Sequence, residues 1–95
     1  MENNAIEHGS GNIFEDLELP DAEVLQVKAY LSICIEQQIQ ERGLTQMEAA
    51  KILGIRQPKL SALLRGGFDA FTIDRLIRYL IRLGQSIEVV VRQRA

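Results

Sequence analysis

The sequence predicts a mainly α-helical fold, a small bundle of four helices with one C-terminal β-strand that pairs across a dimer. Three observations carry this expectation. Apolar residues recur at helical spacing in four stretches between Asp21 and Gly84. Each stretch opens on a capping residue or proline, or closes on a glycine. The period then changes to two across Ser86–Arg92, where Ile87, Val89 and Val91 alternate to one side. At 95 residues the chain holds one domain. A domain of this size buries only ~60–70% of its unfolded surface, so a partner subunit would add stability.

The elements follow in order. Residues 1–20 form an acidic, partly disordered arm with Gly9, Gly11 and Pro20, and Met1–Ser10 is expected to be disordered. Ile13, Phe14, Leu17 and Leu19 give the rest of the arm apolar anchors, for the domain or for a partner. Residues 21–85 are the helical domain. Asp21 is read as the N-cap of helix 1, whose stripe is Val24, Val27, Leu31, Ile35 and Ile39. Cys34 falls on that apolar side and reads as core. Gly43 ends the helix just after Arg42. Thr45 opens helix 2 with Glu48 three residues on, a capping box, and Gly54 stops it. Helix 3 runs from about Gln57 to Arg65, with Pro58 in the first turn, where its missing N–H costs nothing. Leu60, Leu63 and Leu64 face its core side. Thr72 caps helix 4, whose stripe is Ile73, Leu76, Ile77 and Leu80 before Gly84. Residues 86–95 are the dimerisation strand and tail. A single strand leaves its backbone groups unpaired. It pairs with its own copy across a two-fold axis or, in the alternative reading, with Ile13–Phe14 of the same chain.

Charge is sorted along the chain. The total is −2, but residues 1–41 hold nine acids against Lys28 alone, a charge of −8. Residues 42–95 hold ten bases against four acids, a charge of +6. That half suits a polyanion, although solvated faces alone can also sort charge. Other classes find little support. Cys34 and His8 are the only cysteine and histidine, so neither an intrachain disulfide nor zinc spacing is possible. No nucleophile set, phosphate loop or dinucleotide fingerprint occurs, and no cofactor or catalysis is expected. No run is long and apolar enough to span a bilayer, and the polar, acidic start is unlike a signal peptide, so a cytoplasmic location is expected.

The chemistry concentrates in Leu44–Gly66. Two short helices meet at a tight turn through Gly54, and the small Ala50 lets them approach closely. This is helix-turn-helix spacing. The second helix turns Gln57, Lys59, Ser61 and Ala62 away from its leucines. Those types suit a major groove: Gln57 for an adenine edge, Arg56 or Lys59 for guanine or phosphate, Ser61 for either, Ala62 for a thymine methyl. Gln46 with the free N–H groups beside Thr45 suits a phosphate, as do Arg65 and Arg75. A plain pair of helices with a solvated face is the bland alternative. Arg78 and Arg82 continue the Arg75 ridge, and Arg82 reads as solvated. A dimer would place two reading helices ~34 Å apart, on an inverted repeat of double-stranded DNA.

At these residues the chain resembles the Xre/Cro-type helix-turn-helix family, which includes the lambdoid phage repressors. The carriers are L-T-Q-x-E-x-A-x-x-L-G-I from Leu44 to Ile55, then Gln57, Leu60, Ser61, Leu63 and Gly66. The resemblance implies a lambda-repressor-like fold. It also implies base reading from Gln57, Pro58, Lys59, Ser61 and Ala62, and a phosphate contact at Gln46. Pro58 stands where some relatives have glutamine. Gly11–Leu17, Leu19–Glu23, Gly67–Thr72 and Gly84–Val91 resemble a narrower group of antitoxins from HigBA-like toxin–antitoxin pairs. That implies autorepression of an operon and neutralisation of an RNA-cleaving toxin. The alternatives are a stand-alone repressor and a protein-interaction module without DNA binding.

Overall fold

The computed structural model describes residues 19–94. Ile13, Phe14 and Leu17 lie outside the described residues. The helices are α1 (Leu19–Glu41), α2 (Gln46–Leu53), α3 (Gln57–Leu64) and α4 (Ile73–Arg82), with a 3₁₀ turn at Gly67–Ala70 between α3 and α4.

α1 starts three residues earlier than expected. Pro20 lies in its first turn, so Asp21 stands inside the helix and is not its N-cap. A proline there removes no helical hydrogen bond, so the helix continues back through it. The other starts follow local chemistry. The Thr45 hydroxyl oxygen accepts from the Glu48 N–H at 3.0 Å, and the Thr45 N–H donates to Glu48 Oε1 at 2.8 Å. At α4 the Thr72 hydroxyl oxygen accepts from the Arg75 N–H at 3.1 Å.

One core joins all four helices. Leu31, Ile35 and Ile39 of α1 meet Ala49, Ala50 and Leu53 of α2, Leu60 and Leu63 of α3, and Leu76, Tyr79 and Leu80 of α4. Phe71 and Leu83 close it. Leu64, Cys34, Ile52, Ile73 and Ile77 are half-buried at its edge. Val27, expected on the α1 stripe, is 44% exposed. The core lies further along the helix, beneath Leu31, Ile35 and Ile39. The Ser32 hydroxyl, buried between α1 and α3, donates to the Leu63 carbonyl at 3.4 Å.

Two long-range hydrogen bonds tie α1 to the 3₁₀ turn before α4 and to the residue that ends α4. Lys28 Nζ donates to the Asp69 carbonyl at 3.3 Å, and Arg42 donates to the Leu83 carbonyl at 3.3 Å. Both partners advance together along the chain, so the helices run side by side in the same direction. The tail then returns along α1, because Arg94 pairs with Glu23. From Arg42 to Glu23 helix α1 spans roughly 28 Å at helical rise. The stretch from Leu83 to Arg94 reaches roughly 36 Å when extended.

The expected β-strand is not formed: among the described residues there is no strand, and 85–94 has no regular secondary structure. Ile87 packs on the core edge, but Val89, Val90 and Val91 are all 60–65% exposed. The alternation thus fails to sort inside from outside. The physical reason is that a strand exists only through pairing of its N–H and C=O groups, and the described chain offers this segment no edge.

Candidate nucleic-acid interface

The turn between α2 and α3 depends on Gly54. Its φ of +74° is left-handed, and its N–H donates to the Ala50 carbonyl at 2.8 Å. A Cβ there would stand 2.9 Å from the Arg82 guanidinium. That guanidinium donates to the Leu53 carbonyl at 3.0 Å, placing a cation on the C-terminal end of α2, where the helix dipole favours it. Arg82, expected to be solvated, is exposed and also makes this contact 29 positions away in the chain. At the other end of α3, Gly67 lies so near that an added Cβ would meet the Ala62 carbonyl oxygen at 2.8 Å. The turn after the helix can therefore lie flat against it.

α3 carries the residues expected to read bases. Leu60 and Leu63 are fully buried, while Pro58, Lys59, Ala62 and Arg65 are exposed and Gln57 and Ser61 half-buried. Successive residues turn by about 100°. Gln57 and Lys59 therefore lie on opposite flanks, with Pro58, Ala62 and Arg65 on the ridge between them. Arg56, the N-cap of α3, makes no side-chain cap and is exposed.

The two flanks differ. On one, Gln57 Nε2 donates to Gln46 Oε1 at 2.9 Å. This couples the first residue of α3 to the first of α2. It leaves the Gln46 amide N–H groups, the second Gln57 N–H and Gln57 Oε1 for an external ligand. Spacing alone did not reveal this link, although two glutamines opening the two motif helices were its visible sign. The Thr45 oxygen accepts in the cap, and its hydroxyl hydrogen remains to donate to a phosphate. On the other flank the Lys59 ammonium lies 5.4 Å from the Phe71 ring centroid. It is thus drawn away from Gln57, toward α4.

Arg75 stands on the exposed first turn of α4, beside that flank. Arg78, one turn on, pairs with Asp74 at 3.1 Å, with both side chains in solvent. Such a pair contributes little to stability. Beneath them Tyr79 is 5% exposed and meets Phe71 edge-on at 6.2 Å. Its hydroxyl is buried and has no hydrogen-bond partner among the described residues. An unpartnered hydroxyl costs about 1–3 kcal/mol. Burial raises its pKa above the ordinary tyrosine value, with Arg75 and Arg82 pulling the other way. It is therefore protonated at neutral pH, and a donor.

The structure thus brings Arg56, Gln57, Lys59, Ser61 and Ala62 onto one exposed helix, with Thr45 and Gln46 beside one flank and Arg75 beside the other. Arg65 stands at its far end. Ile87, Val89 and Val91 lie on the tail, apart from this surface. No helix among the described residues is long and apolar enough to cross a membrane, and they hold no cluster of potential metal ligands.

Comparison with known proteins agrees with this geometry. A family model described as a helix-turn-helix domain matches residues 13–92. A solved structure assigned to the XRE family of transcriptional regulators is 40% identical. It superposes with a TM-score of 0.73, covering 79% of this chain and 84% of that one. No curated protein matches the chain.

Proposed function

The chain belongs to the XRE-type helix-turn-helix family of transcriptional regulators, and from that premise we propose that it represses transcription as a homodimer on an inverted repeat of duplex DNA. The observation that carries the reading is the Gln46–Gln57 link at 2.9 Å. It holds the first side chain of the reading helix against the residue assigned to the phosphate, so base and backbone contacts share one register. Gln57, Ser61 and Ala62 are assigned to base edges, Arg56 and Lys59 to guanine or phosphate, and Gln46, Thr45, Arg65 and Arg75 to phosphates.

The dimer reading rests on the tail. Val89, Val90 and Val91 are exposed on a segment whose backbone forms no ladder among the described residues. Pairing Ile87–Arg92 with its own copy would satisfy that backbone and cover the valines. The finer reading is an antitoxin that represses its own operon and neutralises an RNA-cleaving toxin. It is supported by the resemblance of the flanking segments, with Ile13, Phe14, Leu17 and Leu19 as the assigned contact. Co-expression with the neighbouring gene product tests it: co-purification with loss of RNA cleavage supports the antitoxin. A chain that represses alone, with no such partner, is the stand-alone repressor.

The decisive experiment selects duplexes from a random library and measures binding by anisotropy. A short inverted repeat should be enriched. Gln57→Ala should cost about 1–3 kcal/mol on that site, roughly 5- to 150-fold, and little on random duplex. Failure to enrich any sequence, or a Gln57→Ala chain that discriminates as well as wild type, would overturn the assignment.

A further inference from the structure

A cleft of about 770 Å³ opens on the α3 flank away from Gln46, between the end of α2, the Gly54 turn and α4. Lys51, Arg56, Lys59, Arg75, Arg78 and Arg82 line it, and no carboxylate does. Tyr79 belongs to the same lining. Its hydroxyl is the single buried side-chain polar atom without a partner among the described residues. Arg75 stands close enough to that hydroxyl to pull its pKa down against the effect of burial. Three of the six cations already have partners, Arg78 being paired with Asp74 in solvent at 3.1 Å. Arg82 is held on the Leu53 carbonyl at 3.0 Å and Lys59 over the Phe71 ring. Like charges gathered around an unsatisfied donor repel one another unless an anion joins them.

We propose that this cleft is a phosphate site, and that its occupant is a backbone phosphate of the duplex, gripped on the opposite flank of α3 from Gln46. The assignment of a duplex occupant rests on the DNA-binding reading above. Guanidinium groups recognise phosphoryl oxygens by paired, charge-assisted hydrogen bonds. Arg75 and Arg56 supply such donors at the mouth, and a shift of Arg75 onto the phosphate would open the Tyr79 hydroxyl to it. With Gln46 on one side and the cleft on the other, α3 would be seated between two backbone anchors. A free phosphate offers the same chemistry and is the competing source.

The test compares wild type with R75Q/R78Q, with Y79F, and with R92Q/R94Q, which removes equal charge from the tail. One arm measures binding to a random-sequence duplex of roughly two helical turns at 50–200 mM salt, a range over which phosphate contacts show themselves. The other titrates inorganic phosphate and follows backbone amide resonances of α2 to α4. In R75Q/R78Q the slope of log affinity against log salt should flatten by about one phosphate contact, close to 0.9. R92Q/R94Q should keep the wild-type slope. Y79F should stay folded and bind the duplex several-fold more weakly. Equal slopes in all variants, with phosphate shifts at the cleft in wild type only, would overturn the duplex occupant and leave a free-anion site. Equal slopes with no phosphate shifts would overturn the site altogether. A wild-type chain that binds no duplex would instead remove the DNA reading, and the phosphate titration would still decide the cleft.

Discussion

Within α2, α3 and their turn, the helix ends are answered: Thr45 and Glu48 cap the start and Gly54 turns the chain locally, and Arg82 reaches the Leu53 carbonyl from α4. Along α1 and the returning tail the opposite holds. Leu25, Val27, Tyr30 and Ile33 stay exposed on one helix, and Val89, Val90 and Val91 on the segment beside it. The motif is complete as a single chain, and its outer surface is polar and basic. The α1–tail side carries apolar groups and backbone that the described residues leave uncovered. A polyanion suits the first surface, and a second copy suits the other.

Four substitutions test this contrast, from the largest effect to the smallest. Leu60→Ala removes a fully buried side chain where α3 meets the core. It should cost about 2–5 kcal/mol, enough to unfold much of a domain this small in denaturant titration. Gly54→Ala forces a side chain into left-handed backbone and against Arg82. A loss of about 1–2 kcal/mol follows from the backbone alone, read as a lower melting temperature. If Gly54→Ala melts like wild type, the turn is not the constraint described here. Thr45→Ala should lose roughly 1 kcal/mol with the capping box. Val89→Asp/Val91→Asp should leave chain stability within about 0.5 kcal/mol, since both residues are exposed. Sedimentation should nevertheless show weaker self-association. A dimer indifferent to those charges would move the interface elsewhere, to the exposed ridge of α1.

Legibility in the sequence follows the same division. The capping box, the Thr72 cap, the stop at Gly54 and the buried pair Leu60 and Leu63 were readable because each depends on residues within a turn or two of one another. The start of α1 was misjudged because Pro20 looks like a boundary but is equally at home in a first turn. Arg82 on Leu53, Lys59 over Phe71 and the burial of Tyr79 joined residues well separated in the chain, and helical periodicity carries no sign of them.

The sequence by itself determined where the helices of the motif begin and end, and which chemical groups α3 displays. Capping, φ preference and apolar spacing are local interactions, written in neighbouring residues. Only the tertiary structure decided how those groups are divided. The packing of α4 drew Lys59, Arg75 and Arg78 to one flank of α3 and left the Gln46–Gln57 pair on the other. The tail belongs to the same class: alternation offered a strand, but pairing is a property of two segments, and the described chain supplies one.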